Sequence, residues 1–411
     1  MARRYPYIIA LLLCLAAFPA RADDFEDGRA AYYKHEFKTA LKLWQPLADK
    51  GHPGAQFGMY TLYENGEGVK KDTAQSLKWL KKAASQDHVN SLYTLGFKYD
   101  IGENVKQDFT EAAKWYRKAV DKGDGAAAVN LAALYENGRG MNKDDAEAAK
   151  LYAMAAQQGI PFGEYNLGAM YSEGRGVIKD FATAEKYLLA AADDGMKEAI
   201  TRLGEIYAEG GNGIDRDYQK AIRFLEHGTK LEDPQAMVDL GLMYQQGTGV
   251  MQDYNIALNW YRRAADKNDA RGQRMLGEMY LHGHGVPQDN SLAAMWYKLS
   301  ALQGDGDAQV SLGQMYENGK GVATNYPEAA KWYKLAAERG HAPAAAHVGA
   351  IYEKGLGLKA DNVQAYAWYA EAVEKGDAAA RKTLEELAAK MTPAEIAKAK
   401  KASLKWPVIP R

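Results

Sequence analysis

Three sets of residues in this chain could do chemistry by their type and spacing. His282 and His284 stand two apart in the stretch Leu281–Val286, and two imidazoles that close could share a metal ion if further ligands joined them. Gly66 and Gly68 form a Gly-x-Gly within the stretch Tyr63–Asp72, a pattern that cradles a phosphate when it opens a helix. Glu205 and Asp239 are acids that could meet as a pair, the arrangement that general acid–base work needs.

Each set has a plainer reading in its surroundings. His282 occupies a place held elsewhere by Asn65, Asn137 or Asn318, and no cysteine or carboxylate at fixed spacing accompanies it. His341 and His347 lie six apart, which is not ligand spacing on one helix. The Gly-x-Gly returns at Gly138 and Gly140, Gly174 and Gly176, Gly247 and Gly249, Gly283 and Gly285, Gly319 and Gly321, and Gly355 and Gly357, without a phosphate-binding lysine. Gly102 is followed by Asn104, the other residue that tolerates a left-handed backbone, so the place calls for a turn conformation. Gly-x-Ser-x-Gly, His-Glu-x-x-His and a full Walker A motif do not occur. We therefore expect no catalysis, no metal and no cofactor.

What positions these residues is a period. Tyr63, Tyr99, Tyr135, Tyr171 and Tyr207 step by 36; after one extra residue, Tyr244, Tyr280, Tyr316 and Tyr352 resume the same step. A fixed period of this length marks a solenoid of stacked supersecondary units. Each unit splits into two helices. In the first, Ala127, Leu131, Leu134 and Tyr135 share one helical face. A glycine column at Gly96, Gly168, Gly204, Gly241, Gly277, Gly313 and Gly349 predicts close helix approach; Tyr60 and Ala132 fill the column elsewhere. In the second helix, Trp115-Tyr116, Trp260-Tyr261, Trp296-Tyr297, Trp332-Tyr333 and Trp368-Tyr369 mark the core, with Leu151, Tyr187 and Phe224 in the Trp place of other units. Asp72, Asp108, Asp144, Asp180, Asp217, Asp253, Asp289, Asn325 and Asp361 precede that helix as N-caps. Glu111, Glu147 and Glu328, three residues on, predict capping boxes.

The chain has 411 residues, a formal charge of −1, and 47% hydrophobic and 26% charged residues, a soluble composition without the basic surplus that nucleic acid demands. Arg3 and Arg4, the apolar run 8–18 and Ala20-Arg21-Ala22 read as a secretory signal peptide cut after Ala22. Cleavage would remove Cys14, the only cysteine, leaving no disulfide or thiolate chemistry. No later stretch is apolar enough to span a membrane.

The motif stands nearly complete in Ala308–Gly340 and resembles the Sel1-like repeat family, a tetratricopeptide-like family with a longer turn between its helices. The resemblance covers residues 53–377. It implies an all-α, right-handed superhelical solenoid of nine repeats that binds a protein or peptide partner on its concave face. Four segments are expected: the signal peptide 1–22, a capping helix pair at 23–52 with Trp44 in the aromatic place, the repeats at 53–377, and capping helices at 378–411. The last begins at Thr392-Pro393-Ala394-Glu395 and carries Lys398, Lys400, Lys401 and Lys405 as a polar cover.

Architecture takes the fixed positions, so partner binding must use the variable ones. On the expected groove side these are Phe57, Tyr93, Phe97, Asn130, Tyr165 and Asn166, then Arg202, Glu205, Asp239, Arg274 and Glu278, with Gln314 and His347 in the last repeats. The uncharged group would anchor apolar side chains, with Asn130 and Asn166 pairing to an extended backbone; the charged group would set orientation. The expected product is an exported, monomeric, non-enzymatic scaffold. One alternative is a secreted or surface factor that contacts a host. Another is a beta-lactamase-like hydrolase, which the exported cysteine-rich relatives imply and from which a cysteine-free mature chain departs.

Overall fold

The computed structural model describes residues 24–403; the expected signal peptide with Cys14, and Lys405, lie outside them. The described residues form 22 helices, and their only bridge pairing joins Gly211 to Ile214. No described helix is long and apolar enough to cross a membrane. The fold is an all-α solenoid of helix pairs. It divides into two compact parts, one of residues 24–202 with 210–215, the other of residues 203–209 with 216–403.

Every repeat is built the same way. A first helix such as Gly125–Asn137 ends on a glycine in the left-handed region, here Gly138 at φ 63°, and the turn continues to the cap of the second helix, Asp145–Gln157. Asn104 sits at φ 62°, the conformation that its sequence position requires. The cap side chain accepts from the orphan N–H groups of the next turn, as Asp108 does from Thr110 and Glu111, both at 3.0 Å. The cap's own N–H is spent elsewhere. It donates to the carbonyl of the repeat's tyrosine, Asp108 to Tyr99 at 2.9 Å and Asn325 to Tyr316 at 2.8 Å. This corrects the expected capping boxes. With that N–H already bonded, Glu111, Glu147 and Glu328 turn their carboxylates to Lys114, Arg117 and Lys331. A full box does close at Thr392 and Glu395, which bond reciprocally at 2.8 and 3.3 Å.

The two helices of a repeat meet over the glycine column. A Cβ on Gly313 would stand 2.7 Å from the Tyr333 ring, and one on Gly241 2.6 Å from Tyr261. These tyrosines are fully buried. Several successive repeats are stitched by a residue at the end of the second helix reaching back 35 positions. Lys122 pairs with Asp87 at 2.9 Å, Lys267 with Glu232 at 2.6 Å, and Arg339 donates to the Gly304 carbonyl at 3.0 Å. These exposed contacts add little beside the apolar burial, which at about 25 cal/mol per Å² dominates.

The ends differ from the repeats. Asp24–Tyr33 and Phe37–Asp49 pair over buried Trp44, whose indole donates to the Phe25 carbonyl at 3.1 Å. Ala378–Ala388 and Pro393–Ser403 cover the last repeat through Leu387, Met391 and Ala399, leaving Lys398, Lys400 and Lys401 exposed.

Candidate functional site

The variable positions of the first helices are half-buried throughout, from Phe57 to Glu278. Their side chains are held by named partners.

In the first compact part, Tyr93 and Phe97 lie one turn apart and stack with centroids 6.5 Å apart and planes 12° from parallel. Phe57 leans on Tyr60 and His88 at 5.4 and 5.2 Å. Asn130 donates its amide to the hydroxyls of Tyr116 at 3.2 Å and Tyr93 at 3.4 Å. Asn166, one repeat on, donates to the Phe162 carbonyl of its own helix at 2.8 Å. The two asparagines share a register but not a role, and both amide donors are engaged within the protein. Asn130 thereby pins two tyrosine hydroxyls. Tyr165 is half-buried beside Asn166 in the same helix. Arg202 donates to Ser172 at 3.0 Å and to Glu173 at 2.7 Å.

In the second part, the structure brings Glu205 and Asp239 together. Gln235 donates to both, at 3.2 and 3.1 Å, and Arg271 pairs with Asp239 at 2.9 Å. Burial pushes the Asp239 carboxyl up to about 7, against the pull of Arg271 and with the repulsion of Glu205. The acids are thus bridged by an amide and met by a guanidinium. Arg274 reaches Asp305 at 3.3 Å, and the negative charge of Glu278 helps burial hold the Tyr297 hydroxyl protonated. Gln314 is exposed; His347 stacks on Tyr333 at 4.6 Å beside Glu317, and burial lowers its pKa.

The chemistry-bearing histidines do not converge on a ligand. His282 and His284 stack at 5.6 Å, and His284 lies over Tyr254 at 4.5 Å. No group of three ligating residues able to hold a metal occurs among the described residues.

Two features escaped the sequence reading. The first is a column of acids at the end of the first helix, each accepting from the second-helix tyrosine sixteen residues on. Tyr116 donates to Asp100, Tyr152 to Glu136, Tyr333 to Glu317 and Tyr369 to Glu353, at 2.7 to 3.2 Å. The recurrent spacing is visible in the sequence. The second is Lys98. It occupies an apolar column filled elsewhere by Leu62, Leu134, Met170, Met243, Met279, Met315 and Ile351, and its side chain is 2% exposed. Its ammonium pairs with Glu64 at 2.8 Å and Glu103 at 3.2 Å. Ser76 donates to the other oxygen of Glu64, and Asn104 adds a bond at 2.9 Å. Burial opposes the charge on Glu64, yet Lys98 and Ser76 outweigh it and hold the carboxyl below its usual range. A lysine in a methionine column was the available signal.

The comparisons with known proteins agree with this construction. The Sel1 repeat model matches nine times, at residues 55–88, 89–124, 125–160, 161–196, 197–228, 234–269, 270–305, 306–341 and 342–377. A crystal structure of c5321, a protective antigen present in uropathogenic Escherichia coli strains, is 30% identical, with 93% of this chain and 83% of that chain covered and a TM-score of 0.63. A Sel1 repeat protein from Oxalobacter formigenes is 32% identical, covering 76% of this chain and 90% of its own, with a TM-score of 0.54. No curated protein matches the chain significantly. The repeat arithmetic, the capped helix pairs and these likenesses converge: the chain belongs to the Sel1 repeat family, whose members generally mediate protein–protein interaction.

Proposed function

We propose that the chain is an exported, non-catalytic scaffold that binds a protein or peptide partner on the first-helix face of its repeats. The observation that carries this reading is the stacked, half-exposed Tyr93–Phe97 pair, with Asn130 fixed between the hydroxyls of Tyr93 and Tyr116. Aromatic rings held in place lose little freedom on binding, so more of their contact energy reaches the complex. The network of Gln235, Glu205, Asp239 and Arg271 supplies ordered charges of both signs for orientation.

The test is in-cell crosslinking and purification of the tagged chain, followed by affinity measurement with the captured partner. Tyr93→Ala, Phe97→Ala, Asn130→Ala and Asn166→Ala combined should weaken binding on the order of tenfold or more; because Tyr93 and Phe97 also pack against the core, melting should fall while the far-UV spectrum keeps its helical form. Unchanged affinity would refute the face. Export is checked by the N-terminal residue of the purified protein, expected to be Asp23. A second reading, contact with a host, is favoured by the likeness to the uropathogenic E. coli antigen; recovery of the protein outside intact cells would favour it over a periplasmic role.

A further inference from the structure

The outer surface of the second helices follows a register of its own. Its first position carries Lys78, Lys114, Lys150, Lys186, Arg223 and Lys331, and its last carries Asp121, Asp193, Asp266 and Glu338. Asn259 and Ala367 depart from the first column and Ser85, Gln157 and Lys230 from the last, but the seventh repeat puts an exposed apolar residue in both. Along Asn290–Leu302, Met295, Leu299 and Leu302 lie at i, i+4 and i+7, one stripe of the helix, and are 45%, 41% and 65% exposed.

The neighbouring Tyr326–Glu338 helix extends this stripe. Trp332 packs into the cluster of Ala293, Ala294 and Tyr297, and Arg339 reaches the Gly304 carbonyl, so the two helices lie side by side with their ends level. Leu335, 36% exposed, holds in this helix the register place of Leu299, with Lys331 in that of Met295 and Glu338 in that of Leu302. The result is an apolar band flanked by the exposed Lys298, with the Lys331 cation at one end and the Glu338 anion at the other. Lys331 makes an exposed contact with Glu328 at 3.5 Å and lies 5.6 Å from the centre of the Trp332 ring, both weak contacts that leave its charge available.

We propose that this face joins two copies of the chain through a two-fold axis, with the Asn290–Leu302 helices antiparallel. The charge order selects the second copy and its direction. Antiparallel docking sets Leu299 near the axis against its own equivalent, Met295 against Leu302 of the partner subunit, and Lys331 against Glu338 of the partner subunit, twice over. Parallel docking would instead bring Glu338 over Asp266 of the partner subunit, acid on acid. The patch covers on the order of a few hundred Å² per copy, below the roughly 800 Å² per partner of a standard interface, so the dimer is weak, with a Kd of about 10 µM to 1 mM. The inference is independent of the first-helix face proposed for partner binding.

Sedimentation velocity of the purified chain from about 1 µM to about 1 mM, a range that brackets the expected Kd, tests it. Wild type should shift from monomer to dimer across that range. Leu299→Lys, which removes two leucines from the dimer, should weaken association on the order of a hundredfold. Lys331→Glu should weaken it about tenfold, and adding Glu338→Lys in the same chain should restore it, because the swapped pair still matches across the axis. The swap lies on an exposed surface, so it remains informative even if Leu299→Lys unfolds. A monomer at every concentration overturns the proposal, as does a dimer that ignores Leu299→Lys. Failure of the double swap to restore association overturns the antiparallel geometry. Binding of wild type to vesicles of anionic phospholipid, lost in Leu302→Glu, would reassign the face to a membrane surface and also overturn it.

Discussion

Replacing Lys98 by Met, the residue that its own column favours elsewhere, should destabilise the protein. By burial and helix propensity alone the change should help, since Met170, Met243, Met279 and Met315 fill equivalent places. The ion pair reverses that expectation. Breaking a buried pair by removing one partner costs about 3–5 kcal/mol, because the remaining charge is stranded. Glu64 is 14% exposed and keeps Ser76 and Asn104 as donors, which reduces the expected loss to about 2–3 kcal/mol. Glu64→Leu should cost more, since it leaves the ammonium of a 2% exposed lysine with Glu103 alone. The double variant should recover most of the loss, because two apolar residues of similar volume strand nothing. pH supplies an independent check. Glu64 is held below its usual range in the native state, so its contribution is present above the unfolded value and disappears as pH falls through the folded one. In Lys98→Met the largest pull on the acid is gone while burial and the Ser76 and Asn104 bonds remain, and its protonation at acidic pH relieves the strandedness. The penalty at neutral pH should therefore shrink toward about pH 4, where ordinary carboxylates titrate. Hydrogen exchange of peptides spanning Pro53–Ile101 is the suitable assay, because a repeat chain need not unfold in two states. Equal protection in wild type and Lys98→Met, or a loss that does not vary with pH, would refute the reasoning.

Asp239 gives a second pH signature with the opposite sign. Its folded-state value, pushed up to about 7, exceeds the ordinary 3.8, so the native state binds the extra proton and stability falls as pH rises between the two. Asp239→Asn should flatten that slope in a denaturation series; an unchanged slope would count against the buried-acid assignment. Asp108→Ala removes the acceptor for Thr110 and Glu111 and should cost about 1 kcal/mol, whereas Asp108→Asn, the choice made at Asn325, should cost less. Thermal melting ranks the three proteins, and an alanine variant as stable as the parent would contradict the capping account.

Most of the architecture was legible because it is written in columns. The tyrosine step, the glycine column and the Asp caps each repeat, and each corresponds to one physical demand: a buried ring, a close helix approach, an acceptor for orphan N–H groups. What could not be read was competition for a shared group. The capping boxes fail since Tyr99 and its equivalents take the cap N–H first, a bond between backbone atoms that no side-chain motif announces. Asn130 and Asn166 look alike in sequence, yet Asn130 donates to two tyrosine hydroxyls and Asn166 to a carbonyl of its own helix. Glu205 and Asp239 were suspected as a pair, but the amide of Gln235 and the guanidinium of Arg271 that bind them together come from positions outside the groove list.

The same columns show where to look for what is individual to this chain. In a repeat protein a residue that keeps its column serves packing, and its effect is shared among repeats. A residue that breaks its column works against the local pattern and needs a compensating contact. Lys98 breaks a methionine column and finds Glu64 and Glu103. Met295 and Leu302 stand where most repeats carry charge, and with Leu299 between them their exposed side chains meet no such compensation inside the repeat. The first departure is satisfied within the chain and so predicts a stability effect; the second is left facing outward and so predicts association. If Leu299→Lys altered melting as strongly as Lys98→Met while leaving the oligomeric state unchanged, this distinction between inward and outward departures would fail.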